Sequence, residues 1–300
     1  MKVTKHLKLF FMKRNIIICL YYPFRILNAI KKLLLKDTTR VRVLLFHDIP
    51  PEQHNEFQRK LEFLSLTWDF ITPEEFGLYL DNKLTLTGDN LLLSFDDGFY
   101  SNRVVAEKIL NTMGIKALFF VVSEFVKITK KQEEIEFIKN NLYPEWRKHT
   151  YPAHIEEMRS LSYEDLKYLD EQGHSIGCHT ATHQDMSKIL DPSVLRKEII
   201  DSANEIETLA NITIEHFSYG FGHASFFNKD ALMMAKERFP YIHTAMRGDN
   251  AKDKIPWAIK RDAIALEDPL YLMTSFLEGI ADFRYKKHFA IYESWNNKNV

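Results

Sequence analysis

Apolar residues along the chain fall into short runs that alternate with segments of helical periodicity. The runs VRVLLF (41–46), NLLLSF (90–95) and KALFFVV (116–122) have the length and composition of strands that are covered on both faces. The segments between and after them repeat apolar side chains every three or four residues, which is typical of helices packed on a sheet. This alternation predicts right-handed βαβ units and a parallel sheet.

Capping residues mark where several of the predicted helices begin and end. Thr72 followed by Pro73 and two acids opens one helix, and Ser162 opens another, whereas Gly114 and Gly173 end helices. Continued around a closed sheet, the pattern describes an irregular or incomplete (β/α) barrel. A chain of 300 residues suits one such domain with insertions better than two independent domains.

Three segments lie outside this pattern. Residues 1–40 are interpreted as a basic N-terminal extension, because residues 1–36 contain nine basic residues and no acidic one. A segment at about 128–159, rich in Lys, Glu, Asn, Tyr and Trp, is predicted to be an insertion near the barrel mouth. It is either a lid or substrate-contacting loop, or a surface elaboration without a role. The domain itself is predicted to span residues 41–285, followed by a C-terminal tail at 286–300.

Charge and cysteine content narrow the function classes. Lys plus Arg number 40 and Asp plus Glu number 41, so the chain as a whole lacks the excess of basic residues that is typical of nucleic-acid-binding proteins. Two cysteines, Cys19 and Cys178, do not make a disulfide framework, which fits a reducing compartment. The basic N-terminus interleaves apolar runs that are shorter than the roughly 18–20 residues of a membrane span. We expect a cytoplasmic protein in which residues 1–36 either contact an anionic membrane surface or pack on the domain, with export as the alternative.

Two clusters of metal-ligating residues follow predicted strands. Asp96 and Asp97 come directly after NLLLSF, and His179 and His183 lie in the HTATH segment after another short strand. Reactive groups in parallel α/β folds collect at the carboxyl ends of strands. On a helical turn the spacing of the histidines would place both imidazoles on one face, and a carboxylate would complete an open metal site. The neighbouring Asp could then take a proton from the attacking water. The alternative is a pair of histidines that binds no metal and is either hydrogen-bonded in the fold or exposed.

SFDDG and HTATH resemble the first two motifs of the polysaccharide deacetylase family, also called the NodB-homology or carbohydrate esterase 4 family. The similarity runs over residues 41–284. It implies a distorted (β/α)7 barrel and a metal-dependent hydrolase that removes N-acetyl groups from an amino sugar in a surface polysaccharide, oligosaccharide or lipid-linked glycan.

The resemblance also implies roles for individual residues. Asp96 would be the catalytic base. A divalent metal, zinc in the first place with cobalt or nickel as alternatives, would be bound by Asp97, His179 and His183. The metal would polarise the acetamido carbonyl and stabilise the oxyanion.

Two further residues resemble a branch of the family in which the motif order is permuted and which includes enzymes that de-N-acetylate poly-β-1,6-N-acetylglucosamine. The commoner leucine-x-histidine motif has no match in the strand-like segments IKRDAIAL (259–266) and KHFAIYESW (287–295). LLFHDI instead implies His47 as general acid, with Asp48 as a candidate to orient it; the alternative is a histidine that only holds the barrel mouth together. IKRDAI implies that Arg261 lies beside Asp96, where it would keep that carboxylate ionised. A surface salt bridge is the alternative for Arg261.

The third motif is altered. In HFSYGFGH, Ser218 takes the place of an arginine found in some branches, and Gly220 replaces a proline. The resemblance still implies a loop that lines the substrate groove and offers a backbone N–H to the oxyanion. Its substrate-binding residues would be Tyr219, Phe221 and Gly222.

Two other functions fit the same residues. The altered third motif and the missing C-terminal histidine favour a catalytically inactive glycan-binding barrel, whereas the complete metal triad and Asp96 argue against it. A deformylase or an amidase acting on another amide substrate would use the same site. The expected partner is an N-acetylated glycan, with no nucleic acid.

Overall fold

The structure is a computed structural model that describes residues 39–145 and 151–296, together with residues 23, 25–27, 30 and 34. Most of the predicted basic extension at 1–40 therefore lies outside the described residues, as do residues 297–300 of the predicted tail. Among the residues described, no helix combines the length and the apolarity needed to span a bilayer.

The described part of the chain forms one parallel sheet of eight strands. The strands run in the spatial order β7–β6–β5–β4–β3–β1–β8, and β2 pairs with β3. Their bounds are β1 (Arg40–Phe46), β2 (Asp69–Phe70), β3 (Asp89–Phe95), β4 (Ala117–Val121), β5 (Ser175–Cys178), β6 (His216–Ser218), β7 (Tyr241–His243) and β8 (Asp262–Ala263).

Helices connect the strands, as expected for parallel pairing. They are α1 (His54–Leu64), α2 (Pro73–Leu80), α3 (Tyr100–Val105), α4 (Ser123–Val126), α5 (Lys131–Phe137), α6 (Tyr163–Glu171), α7 (Pro192–Arg196), α8 (Ser202–Ala210), α9 (Lys229–Arg238), α10 (Leu270–Leu277) and α11 (Lys286–Asn296). Three π-helical turns, Ala106–Leu110, Ile138–Leu142 and Lys197–Asp201, follow α3, α5 and α7.

The sheet curls until its two ends meet. Ile259 donates its N–H to the carbonyl of Ile242 and accepts from the N–H of Thr244, which joins the closing segment to the β7 edge. Three residues farther on, β8 pairs in parallel with β1, with Asp262 opposite Leu44. The predicted distorted (β/α)7 barrel is confirmed by this parallel, curled sheet and its surrounding helices.

Side chains alternate between the two faces of the sheet along each strand, so the sheet contributes to two hydrophobic clusters. Leu91, Leu93 and Phe95 of β3 pack with outer helices in the main hydrophobic cluster. Leu92, on the opposite face, packs with residues of β1 and of α2 in a second cluster. Because successive side chains on a strand point to opposite faces, an uninterrupted apolar run fills both layers.

The predicted helix starts are present. Thr72 caps α2 by accepting a hydrogen bond from the N–H of Glu75, and Ser162 caps α6 by accepting from the N–H of Asp165. Both are complete capping boxes, in which the acidic side chain returns to the N–H of the capping residue.

The prediction that KHFAIYESW is strand-like is wrong, because the segment lies within helix α11. Phe289, Tyr292 and Trp295 recur every three residues and pack against the main core, which is a helical spacing. Tyr292 is fully buried and donates its hydroxyl to the carbonyl of Trp257 at 2.7 Å. The segment predicted as a tail thus contributes to the core over Lys286–Asn296.

Candidate active site and metal centre

The two neighbouring carboxylates lie in a tight turn directly after β3. Asp97 has φ 76° and is followed by Gly98 with φ 84°, so two successive residues are left-handed. A left-handed residue with a side chain costs on the order of 1 kcal/mol and persists only where the surroundings fix it. The turn separates the two side chains: Asp96 meets Arg261, and Asp97 meets the two histidines.

His179 and His183 are brought together by an irregular loop rather than by the predicted helical turn. Thr180 and His183 have φ 69° and 59°, which a helix does not allow. The N–H of His183 donates to Oγ1 of Thr180 at 2.8 Å, and the two imidazole centroids lie 5.0 Å apart. The histidines share one site as predicted, although by a different backbone path.

Glu198 holds this loop, and sequence analysis missed it. Its carboxylate is buried and accepts the N–H groups of Ala181 and Thr182 and the hydroxyl of Thr182, at 3.1, 2.9 and 2.6 Å. A signal was present in the sequence, because Glu198 lies three residues after Leu195 and four before Ser202, on the buried face of the helical segment.

Three ligand atoms converge between these turns. Oδ1 of Asp97 lies 3.6 Å from Nε2 of both His179 and His183, and the set fits within 4.8 Å. Nδ1 of His179 meets the carbonyl of Ser218 at 2.9 Å, and Nδ1 of His183 meets the carbonyl of Asn141 at 3.0 Å. Since a carbonyl only accepts, each Nδ1 carries the proton and each Nε2 presents a lone pair.

The electrostatics of this triad suit a divalent cation. Burial lowers the pKa of both histidines to about 4, so both imidazoles are neutral at neutral pH, as metal ligation requires. Oδ1 of Asp97 is buried and has no hydrogen-bond partner within the described ranges. Burial also raises the pKa of Asp97, a direction that a bound cation would reverse. Two imidazoles and one carboxylate fit zinc and leave coordination positions open.

Asp96 forms a bidentate ion pair with Arg261. Nη1 and Nη2 of Arg261 donate to the two carboxylate oxygens at 2.7 and 2.9 Å, and both side chains are buried. Burial alone would raise the pKa of Asp96, but Arg261 and His179 lower it, and the net shift is downward. The structure thus places Arg261 where the sequence predicted it and excludes a surface salt bridge.

His47 lies at the end of β1, facing the same site. Its side chain is partly buried, and its positive charge would lower the pKa values of both Asp96 and Asp97. Asp48 does not orient His47, so that suggestion is wrong. The two side chains diverge, and the Asp48 carboxylate instead accepts from the hydroxyl of Ser101 at 2.6 Å and meets Nε2 of His154 at 2.9 Å.

The altered third motif, HFSYGFGH (216–223), has some side chains at the site and others in the hydrophobic core. The ring of Phe221 packs 4.4 Å from that of His183, and its N–H lies 3.4 Å from Nε2 of that histidine. Gly222 has φ 58°, and a Cβ there would lie 2.6 Å from the Cβ of Ala245, so only glycine fits.

Tyr219, predicted to line the substrate groove, does not do so. It is fully buried and stacks on Phe227, with its hydroxyl 3.2 Å from that of Tyr292. On an extended strand Tyr219 and Phe221 would share a face, but the chain turns after β6 and Phe221 has φ 62°, so the two side chains point in different directions.

The chain is similar in sequence to known proteins. The family model "Polysaccharide deacetylase" matches residues 83–238. The Bacillus subtilis (strain 168) protein YxkH, assigned to polysaccharide deacetylases, is 23% identical over 229 residues, which are 74% of this chain and 70% of that protein. A gellan lyase from Bacillus sp is 26% identical over 148 residues, which are 49% of this chain but only 4% of the lyase.

Solved structures share the fold. The IcaB structure from Ammonifex degensii superposes with a TM-score of 0.63 at 20% identity, covering 81% of this chain and 99% of that one. The Streptococcus pyogenes deacetylase PplD, in complex with acetate, gives a TM-score of 0.60 at 19% identity, covering 79% and 98%. At these identities the likeness concerns the fold.

We predict that Glu198→Ala lowers the free energy of unfolding by at least about 2 kcal/mol, because it leaves buried N–H groups without acceptors. The variant should also bind zinc more weakly than the parent, since the loop between the two histidines loses its support. Urea unfolding and zinc titration measure the two effects.

Glu205→Ala on α8 is the matched control. Its side chain is partly exposed and paired with Lys127 at 2.7 Å, so its loss should cost less than about 1 kcal/mol. Equal effects of the two substitutions would contradict the role given to Glu198.

Proposed function

Because this chain belongs to the polysaccharide deacetylase family, we propose that it is a metal-dependent hydrolase that removes N-acetyl groups from an amino sugar in a glycan. The observation that carries the proposal is the buried Oδ1 of Asp97, which lies 3.6 Å from two imidazole nitrogens and directly beside the ion-paired Asp96. The proposed substrate is a surface polysaccharide, an oligosaccharide or a lipid-linked glycan.

The reaction is amide hydrolysis. Water adds to the acetyl carbonyl, the C–N bond breaks, and acetate and a free amine leave. Asp97, His179 and His183 would hold the divalent ion, with zinc as the first candidate and cobalt or nickel as alternatives. That ion would supply Lewis acidity toward the carbonyl oxygen and toward water.

Asp96 is the proposed general base. Its carboxylate is fixed by two hydrogen bonds from Arg261, and the net lowering of its pKa keeps it ionised at neutral pH. Oδ2 of Asp96 also lies 3.6 Å from Nε2 of His179, so a water bound beside the triad would be within its reach. Arg261 acts through Asp96 and is a positioning residue.

His47 is the proposed general acid. It enters the site from the end of β1, and it lies near enough to influence both carboxylates. In its protonated form it would donate to the leaving amine. The N–H of Phe221, beside His183, is the proposed donor to the developing oxyanion.

We predict that Asp96→Asn and His47→Gln each lower acetate release from N-acetylated oligosaccharides by roughly 10²- to 10⁴-fold, because each removes a proton-transfer group. Bound metal should stay at the parental level, since neither residue is a proposed ligand. Acetate release and metal content are measured on the same preparations. Parental rates in Asp96→Asn would refute its role as base.

Residues 1–36 are proposed to contact an anionic membrane surface. Nine basic residues and no acidic one lie in this segment. Of its described residues, Ile26, Ile30 and Leu34 follow a four-residue helical spacing and are 59%, 47% and 75% exposed. Basic residues around an exposed apolar stripe are typical of interfacial helices.

Deleting residues 1–36 should abolish co-sedimentation with vesicles that contain anionic lipid, because both the charge and the apolar stripe are lost. Neutral vesicles are the control, and the parent should bind them much less. Unchanged binding of the truncated chain to anionic vesicles would defeat the proposal.

A further inference from the structure

We infer that Asn141, in the predicted insertion, is a positioning residue of the metal centre that fixes His183 with Nε2 toward the other two ligands. The inference deepens the proposed function and rests on it. Sequence analysis assigned no role to Asn141, and it interpreted the surrounding segment as a lid, a substrate-contacting loop or a surface elaboration.

Asn141 makes two hydrogen bonds to neighbouring residues of the histidine loop. Its main-chain carbonyl accepts the Nδ1 proton of His183 at 3.0 Å, and its side-chain amide donates to the carbonyl of Thr182 at 2.9 Å. The first bond sets which ring nitrogen of His183 carries the proton and how the ring is turned. The second holds the main chain of Asn141 against the loop, so that its carbonyl stays within reach of the ring.

The histidine loop needs support from outside because its backbone is strained. Thr180 and His183 are both left-handed, with φ 69° and 59°, and such residues persist only where the surroundings fix them. Glu198 accepts the N–H of Thr182 on one side, and Asn141 donates to the carbonyl of the same residue on the other. Two segments that are distant in sequence therefore hold the peptide groups before and after Thr182.

The carbonyl that meets His183 comes from the end of a helix. Asn141 lies in the π-helical turn Ile138–Leu142, which continues α5. The last carbonyls of a helix have no N–H of the same helix to bind, and they carry a partial negative charge. A carbonyl of this kind on Nδ1 fixes the ring and raises the basicity of Nε2, as hydrogen bonds to ligating histidines generally do.

The helix that carries Asn141 is itself fixed to the domain. Ile138 and Leu142 are buried in a hydrophobic cluster with residues that follow β3 and β4. In α5, the buried carboxylate of Glu134 accepts the N–H of Ser160 at 2.9 Å, which joins the two ends of the insertion. A residue that orients a ligand needs such fixed surroundings, since a mobile one adds little to preorganisation.

The other ligand histidine is oriented independently. Nδ1 of His179 meets the carbonyl of Ser218, at the end of β6, at 2.9 Å. One ligand histidine thus depends on a strand of the barrel and the other on the insertion. Loss of the Asn141 contact should therefore change His183 and leave His179 as it is, which a general loss of stability would not do.

The test is Asn141→Ala, which removes the amide that holds the carbonyl in place. The side chain is half-buried and alanine is a good helix former, so the variant should fold. We expect its dissociation constant for zinc, measured by competition with a chromogenic chelator, to rise roughly 10-fold over the parent. That is the lower end of the range for such contacts, because the carbonyl itself remains. In proton NMR of the cobalt-loaded variant, the imidazole N–H signal of His183 should shift and that of His179 should not.

Gln132→Ala is the matched control. Gln132 also has an amide side chain and lies in α5 of the same insertion, but it is exposed and meets Glu136 at 3.4 Å. This variant should match the parent in zinc affinity and in both imidazole signals.

The outcomes separate this inference from the function on which it rests. Zinc affinity in Asn141→Ala within twofold of the parent overturns the inference. A weaker affinity in which the signals of His179 and His183 move together overturns it as well, because the whole site would then be disturbed. In both cases tight zinc binding by the parent leaves the proposed metal site standing. No zinc binding by the parent overturns the inference and the proposed function together.

Discussion

One buried cation links the strand ends that build the site. The guanidinium of Arg261 donates to both oxygens of Asp96 after β3, to the hydroxyl of Ser218 in β6 and to the carbonyl of Thr244 after β7. The side chain is fully buried, and an unpaired buried guanidinium would cost several kcal/mol. These three strand ends must therefore meet around it, and that arrangement sets the direction of Asp96 and leaves Asp97 to the histidines.

The segment 259–262, which joins the β7 edge of the sheet to β1, places side chains on both faces of the sheet. Arg261 and Asp262 are consecutive, so their side chains point to opposite faces. Arg261 points inward to the site, whereas Asp262 meets Arg42 of β1 in a buried bidentate pair at 2.9 Å for each contact. Arg42 also binds Asp282, beyond α10. Closure of the barrel and assembly of the site thus depend on two neighbouring residues, Arg261 and Asp262.

The features that the sequence predicted are local. Thr72 and Ser162 cap helices through residues three positions away, and Asp96 and Asp97 follow an apolar run that is typical of a covered strand. The family resemblance supplied the pairing of Arg261 with Asp96 across 165 residues, which spacing alone does not give. Tyr219 and Phe221 could not be separated by pattern, because their direction depends on how the loop leaves β6.

The structural features that the sequence did not predict depend on contacts between distant segments. The loop at His179–His183 departs from a helical turn because the carboxylate of Glu198 binds its N–H groups from another element. The helical spacing in α11 was present in the sequence but is easily mistaken for a strand when aromatic residues are frequent.

The most direct test of the account is the metal content of protein purified without added metal, compared between the parent and His183→Ala. The account predicts about one zinc-like ion per chain in the parent and little in the variant, because two ligands do not make a tight site. A parent that binds no metal, even after incubation with zinc, would contradict the proposed mechanism and favour a barrel that binds glycans without hydrolysing them.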